Sequence, residues 1–208
     1  EWHRVVATHD FASYPPQASE IPKVSDAFNM NLEAIIELDP DLVFVFYETF
    51  VSDLEDAGLK VLYLESLGND LEETTELITM WGRITGNIHR AEKESLLFDE
   101  RVSTIQGMLS NTDSELKVFQ DVGDLWTPGQ NTLMNTVFEL LKLDNIAKDV
   151  SGYVQMSPEL IVDRNPDLII ALNPNSITTN SIFKDVNAIK NNRVIKMLSD
   201  ALSNAGPR

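Results

Sequence analysis

The chain of 208 residues has no cysteine. That rules out disulfides, thiolate metal sites and cysteine nucleophiles. No apolar stretch approaches the roughly 20 residues that a membrane-spanning helix needs. Basic residues are few: 16 Lys and Arg stand against 33 Asp and Glu, a formal charge of −17. A surface so negative repels nucleic acid and anionic lipid, and its plainest role is solvation. The three histidines, His3, His9 and His89, are scattered. They do not form the cluster expected of a bare zinc or manganese site. GxGxxG, P-loop, GxSxG and HExxH patterns are all absent. So is any Gly/Ser-rich or Pro-rich linker. No signal-peptide pattern occurs either; the chain opens abruptly at Glu1-Trp2-His3 and stops at Gly206-Pro207-Arg208. The expectation is of a mature or trimmed chain.

What remains is ordinary for a folded protein, 43% hydrophobic and 24% charged. The length suits one large domain or two small lobes. The most informative feature is an internal repeat. Residues 29–45, NMNLEAIIELDPDLVFV, align without a gap on residues 155–171, QMSPELIVDRNPDLIIA, at an offset of 126. Met30, Glu33, Ile35 and Pro40-Asp41-Leu42 recur as Met156, Glu159, Ile161 and Pro166-Asp167-Leu168. Leu32, Ile35 and Ile36, and Leu160, Ile161 and Val162, predict a short helix with one apolar face. The Asp/Asn-Pro pair ends it, because the residue before proline avoids the helical region. Continuous apolar runs follow, Leu42 to Phe46 and Leu168 to Leu172. Such runs suit strands buried in a parallel sheet.

A helix followed by a buried strand, twice, predicts an α/β protein of two Rossmann-like lobes. Further strands are expected at Arg4 to Thr8, Lys60 to Leu64, Lys117 to Gln120 and Arg193 to Met197. Helices are expected at Phe50 to Ala57, stopped by Gly58, and at Asn131 to Leu141. Asp70 to about Leu109 is helical in pattern, with a break or bend at Gly86-Asn87. A helix of ~20 residues spans about 30 Å, stiff enough to tie two lobes together. The expected division is an N-terminal lobe at 1–66, an inter-lobe helical segment at 67–112 and a C-terminal lobe at 113–208. The ligand cleft is expected between the lobes.

Several segments carry a family likeness: YPPQ at Tyr14 to Gln17, NLEAIIELDPDLVF at Asn31 to Phe44, Trp126-Thr127-Pro128-Gly129, and PELIVDRNPDLII at Pro158 to Ile170. Over nearly its whole length the chain resembles the substrate-binding proteins of ABC importers with a rigid inter-lobe helix. That group carries vitamin B12, ferric siderophores and haem. Through YPPQ and the ending SDALSNAGPR the likeness leans toward its vitamin B12 receptors. The resemblance implies an extracytoplasmic receptor, periplasmic or membrane-anchored as a lipoprotein, that is monomeric and delivers a corrinoid such as cobalamin. A ferric siderophore or haem is the close variant. It implies no catalytic residue, no resident cofactor and no metal; ATP is hydrolysed by another subunit. Members of the group usually begin with one more strand and helix and finish with one more helix. The N-terminal lobe is therefore expected to lack its first strand and helix, and the C-terminal lobe its last helix.

Two sets of residues follow. Glu33 and Glu159 lie near the starts of the repeated helices, where a carboxylate is favoured by the helix dipole and could serve as a cap. As a repeat-related pair they could instead dock on arginines of a symmetric permease dimer. The resemblance implies the docking role. Phe11, Tyr14, Phe28, Trp126 and Tyr153 fall on loops at the carboxyl ends of strands. There they are either packing residues or rings that hold a large flat ligand. By resemblance Phe11, Trp126 and Tyr153 sit where vitamin B12 receptors place ligand-contacting aromatics. Ala27, beside Phe28, replaces a tryptophan. Asp200 matches a polar contact position, and Asn204 stands where the family has an arginine. The scarcity of basic residues near these loops speaks against an anionic catecholate ligand, which would need arginines.

Two other classes compete. An enzyme on a duplicated Rossmann-like fold would need acid/base groups such as Asp41 and Asp167. These lie at strand starts, opposite the usual site. A plain interaction module would use the acidic surface and leave the aromatic loops without a purpose.

Overall fold

The computed structural model describes residues 2–12, 15–26, 28–65, 71–112 and 116–197. The chain divides into two units, Glu1–Ser66 and Leu67–Arg208. In the first, β1 (Thr8–His9) pairs in parallel with β2 (Lys23–Ser25). Helix α1 (Leu32–Glu37), β3 (Val43–Val45), α2 (Val51–Asp56) and β4 (Val61–Tyr63) follow. Strands β3 and β4 pair in parallel as a separate two-stranded sheet. Gly58, at φ 81°, takes the left-handed turn that releases α2 into β4. Ile35 and Leu54 anchor the two helices in the interior. Cover elsewhere is thin: the ring of Phe44, mid-strand in β3, keeps 48% of its surface.

The expected strand at Arg4 to Thr8 is shorter and later than its apolar run suggests. Trp2–Arg4 forms a 3-10 turn, and pairing begins only at Thr8, whose N–H donates to the Pro22 carbonyl at 2.9 Å. Val5 and Val6 stay exposed, so neither a partner strand nor burial holds that run extended.

The second unit opens with α3 (Leu71–Ile84) and α4 (Ile88–Met108). The bend at Gly86-Asn87 proves to be a tight turn between two packed helices. Gly86 sits at φ 72°. A Cβ on Gly82 would lie 2.2 Å from the Ala91 Cβ, so this glycine lets the two backbones close on each other. The 21 residues of α4 span about 31 Å.

The chain then enters β5 (Leu116–Asp121), β6 (Trp126–Pro128), α5 (Leu133–Leu140), β7 (Leu143–Asn145), β8 (Tyr153–Gln155), α6 (Pro158–Arg164), β9 (Leu168–Ala171), α7 (Pro174–Thr178), α8 (Asn187–Lys190) and β10 (Val194–Lys196). Four strands make a parallel sheet in the order β10-β9-β5-β7. Central β5 is buried from Val118 to Asp121, as a strand covered on both faces should be. Phe119 faces one apolar cluster with Ile161, Ile169, Ile177, Phe183 and Val186; Val118 faces the other with Met134 and Phe138. Among the described residues no helix is long and apolar enough to cross a membrane.

Candidate functional site

The repeat is visible in three dimensions, position by position. Asn31 caps α1, its Oδ1 accepting from the Ala34 N–H at 3.1 Å. Ser157, the residue 126 positions on, caps α6, its Oγ accepting from the Leu160 N–H at 3.2 Å. Both helices stop through left-handed residues at equivalent places, Asp39 at φ 44° and Asn165 at φ 48°. The residue before each proline thus avoids the right-handed helical region by turning left-handed rather than extended. The strands that follow pair alike: the Val43 N–H donates to Lys60 O, and the Ile169 N–H to Arg193 O, both at 2.9 Å.

Both glutamates, Glu33 and Glu159, lie in the first turn, where the helix dipole favours a carboxylate, but neither makes the capping hydrogen bond. The caps are Asn31 and Ser157, two positions before the glutamates, which therefore stand at the second helical position, neither at the cap nor at the third position that a capping box uses. Each glutamate is exposed and makes no hydrogen bond or ion pair among the described residues. Two equivalent carboxylates are left unspent.

In the second unit Trp126 and Tyr153 come together. Strands β6 and β8 form an antiparallel ribbon in which Trp126 faces Gln155 and Pro128 faces Tyr153. Partners in such a ladder share a face, and alternate residues point oppositely. Trp126 and Tyr153 are therefore diagonal neighbours on one face, while Thr127 and Val154 point into the unit. The rings keep 44% and 52% of their surface. Partial burial pushes the Tyr153 hydroxyl above its ordinary value, so it stays neutral near pH 7.

The frame under this ribbon is densely hydrogen-bonded. Buried Asp121 accepts from the Gly123 and Leu125 N–H groups, both at 3.0 Å, and so pins the turn before Trp126. Gly123, Asp124 and Leu125 are all left-handed, at φ 122°, 50° and 62°. Asn145 Nδ2 donates to the Pro128 carbonyl at 2.8 Å and to Asn135 Oδ1 at 2.9 Å. Thr132 Oγ1 donates to the Gly129 carbonyl at 2.8 Å. Gly129 itself leaves no room for a side chain, since a Cβ would meet the Val150 carbonyl oxygen at 2.0 Å.

In the first unit Phe11 and Phe28 stand out from the loops after β1 and β2, with 68% and 88% of their surface exposed. Neither is a core residue. Phe28 is held out by an Asx turn: Asp26 Oδ1 accepts from the Phe28 N–H at 2.6 Å and the Asn29 N–H at 2.7 Å. Those bonds, with the Asn29 side-chain amide foremost, hold the Asp26 carboxyl below its usual value. Beside the loops an open hollow of about 540 Å³ is lined by Asp10, Lys23, Asp26, Asn29 and Glu33, among others. Lys23 Nζ is already engaged, donating to the Ala12 and Ala18 carbonyls at 2.9 Å each.

Tyr14, Ala27, Asp200 and Asn204 lie outside the described residues. Among those described, no group of three or more His, Asp or Glu could hold a metal ion. Sequence reasoning missed the supporting residues Asp26 and Asp121, and named Gly129 only within the Trp126–Gly129 likeness. The first two carried a signal: Asp two residues before Gly123, and Asp three before Asn29, are turn patterns.

Comparison with known proteins gives four findings. A family model described as periplasmic binding protein matches residues 1–201. An ABC transporter substrate-binding lipoprotein of Bacillus subtilis (strain 168), YvrC, itself uncharacterised, is 30% identical over 98% of this chain and 68% of that protein. A cobalamin-binding protein of Halobacterium salinarum is 34% identical over 77% of this chain, and the match spans only 46% of that protein. Among solved structures, a possible iron-binding periplasmic solute-binding protein of Staphylococcus epidermidis superposes with a TM-score of 0.79 at 27% identity. It covers 100% of this chain and 88% of that one.

Proposed function

The chain belongs to the periplasmic binding protein family, and from that premise we propose that its ligand is cobalamin or a related corrinoid. It is a solute-binding receptor of an ABC importer, working outside the cytoplasm with a permease and an ATPase, and not an enzyme. The observation that carries the ligand reading is the ribbon face of Trp126 and Tyr153. Two exposed rings on a backbone locked by Asp121, Asn145 and Gly129 form a preorganised platform for a large flat molecule. The 34% identity to a cobalamin-binding protein favours the same ligand class. Phe11 and Phe28, exposed on strand-end loops, would add ring contacts; Tyr14, Asp200 and Asn204 complete the proposed set by resemblance.

A ferric siderophore or haem is the second reading, favoured by the likeness to a possible iron-binding protein. Glu33 and Glu159 are the proposed docking groups for the permease, because their carboxylates are exposed and serve no helix cap. In this reading the receptor works as a monomer, periplasmic or anchored as a lipoprotein. Titration with cyanocobalamin, cobinamide, haem and a ferric hydroxamate, read by tryptophan quenching, tests the ligand class. Trp126→Ala and Tyr153→Ala should each weaken the bound ligand by about 1–3 kcal/mol. Unchanged affinity in both variants refutes the platform, and silence with every ligand refutes the corrinoid and iron readings together.

A further inference from the structure

We infer that the ligand admitted is neutral or cationic, and that carboxylates beside the exposed rings exclude polyanionic chelates. This rests on the ligand-binding role proposed for the rings and narrows it to a charge class. Among the described residues of the first unit, each exposed ring at the carboxyl end of a strand has an acid within two positions. Phe11 follows Asp10, Phe28 comes two after Asp26, Tyr47 precedes Glu48, and Tyr63 comes two before Glu65. In the second unit Trp126 comes two after Asp124. No Lys or Arg occurs on the described parts of these loops. Lys23 lines the hollow with Asp10 and Asp26, and two of its three ammonium hydrogens already go to carbonyls at 2.9 Å. Residues 1–66 hold three Lys and Arg against thirteen Asp and Glu.

A carboxylate- or catecholate-bearing ligand is recognised by guanidinium or ammonium groups free to donate. Here it would meet instead the carboxylates of Asp10, Asp26 and Glu33 that line the hollow, and charge acts over roughly 8 Å at physiological salt. A neutral amide-rimmed ligand meets no such penalty, and a cation gains from both the acids and the ring faces. Residues 198–208 carry one Asp and one Arg and add no net charge to the balance.

The test is calorimetric titration of the chain with cyanocobalamin, a cationic ferric trihydroxamate, hemin and a ferric tricatecholate, at low and at physiological salt. At least one of the first two should bind roughly tenfold or more tighter than either polyanion. The gap should narrow as salt rises. The double variant Asp10→Lys, Glu48→Lys should improve a polyanion about tenfold relative to cyanocobalamin. Neither replaced side chain makes a hydrogen bond among the described residues, so the fold should tolerate the change. Should the double variant fail to fold, the salt series on the native chain still decides. Polyanions binding as tightly as the neutral or cationic probes, or a gap indifferent to salt and to charge reversal, overturns the inference and leaves the receptor standing. Binding of none of the four overturns the ligand reading itself, and the charge rule with it.

Discussion

Gly129→Ala should disable the ribbon that presents Trp126 and Tyr153. The Cβ would sit 2.0 Å from the Val150 carbonyl oxygen, 2.9 Å from that of Ala147 and 3.0 Å from that of Gly152. All three atoms are backbone, so no side chain can rotate away. The strand must move instead, which strains the Gly129 N–H to Gly152 O bond at 2.8 Å, Gln130 N–H to Val150 O at 2.7 Å and Gly152 N–H to Gln130 O at 2.8 Å. At about 1 kcal/mol each, the loss is about 3 kcal/mol. In a unit of this size that lowers the melting temperature by about 10 °C. Thermal melting followed by circular dichroism measures it, with the ligand titration run in parallel. Gly107→Ala is the control: its Cβ meets nothing within 4 Å, and alanine in a helix should be neutral or stabilise by up to about 1 kcal/mol. A Gly129→Ala protein that melts within about 2 °C of the native chain would refute the steric argument.

Gly82→Ala forces α3 and α4 apart at the 2.2 Å approach to Ala91, so it should destabilise by about 2 kcal/mol, and Ala91→Gly should restore part of it in the double variant. Asn31→Ala and Ser157→Ala each remove a cap worth about 1 kcal/mol, so chemical denaturation should give similar losses for the two. Asp149 is held below the usual carboxylate range by its hydrogen bond to Arg164. Its folded value lies under the unfolded one of about 3.9, so its contribution exists above that pH and disappears as the solution is acidified through the folded value. Asp149→Asn should therefore melt below the native chain at pH 7, with the gap narrowing as the pH falls below the unfolded value, and a gap that does not narrow in acid would contradict the pairing. Glu33→Ala with Glu159→Ala should abolish uptake by the importer while leaving ligand affinity unchanged, and normal uptake would remove the docking role.

The repeat made the centre of the fold legible. Glu33-to-Pro40 and Glu159-to-Pro166 announced a helix, a stop and a buried strand, and α1–β3 and α6–β9 are those elements. The strand expected at Lys117 to Gln120 is the centre of β5, where Val118 and Phe119 supply an apolar residue to each face. The Arg4 to Thr8 strand was misread, since an apolar run says nothing of whether a partner strand lies beside it. The ribbon of β6 and β8 was not foreseen. Its partners are separated by the whole of α5 and β7, and its geometry depends on Leu125 at φ 62°, a conformation that leucine does not advertise. The aromatic residues were nameable as ring candidates, but their exposure was not, because a phenylalanine reads alike in a core and on a loop.

The two copies of the repeat differ in how deeply they are embedded, and that contrast bears on the glutamates. In the second copy Asp167 accepts from the Lys117 N–H at 3.1 Å and from Asn187 Nδ2 at 2.9 Å, Val162 packs on the main core, and Ile161 is sealed. In the first copy Asp41 has no such partner among the described residues, and Ile36, the counterpart of Val162, is exposed. Apart from Ile35 and Ile161, buried in both copies, these contacts have diverged, although interior contacts are the ones that stabilise a fold. The cap, the left-handed stop and an exposed glutamate without a partner among the described residues occur in both. An exposed carboxylate in a capped helix contributes only a few tenths of a kcal/mol to either unit. Folding alone therefore gives little reason for Glu33 and Glu159 to match while Asp41 and Asp167 part ways. A partner that reads both carboxylates gives one.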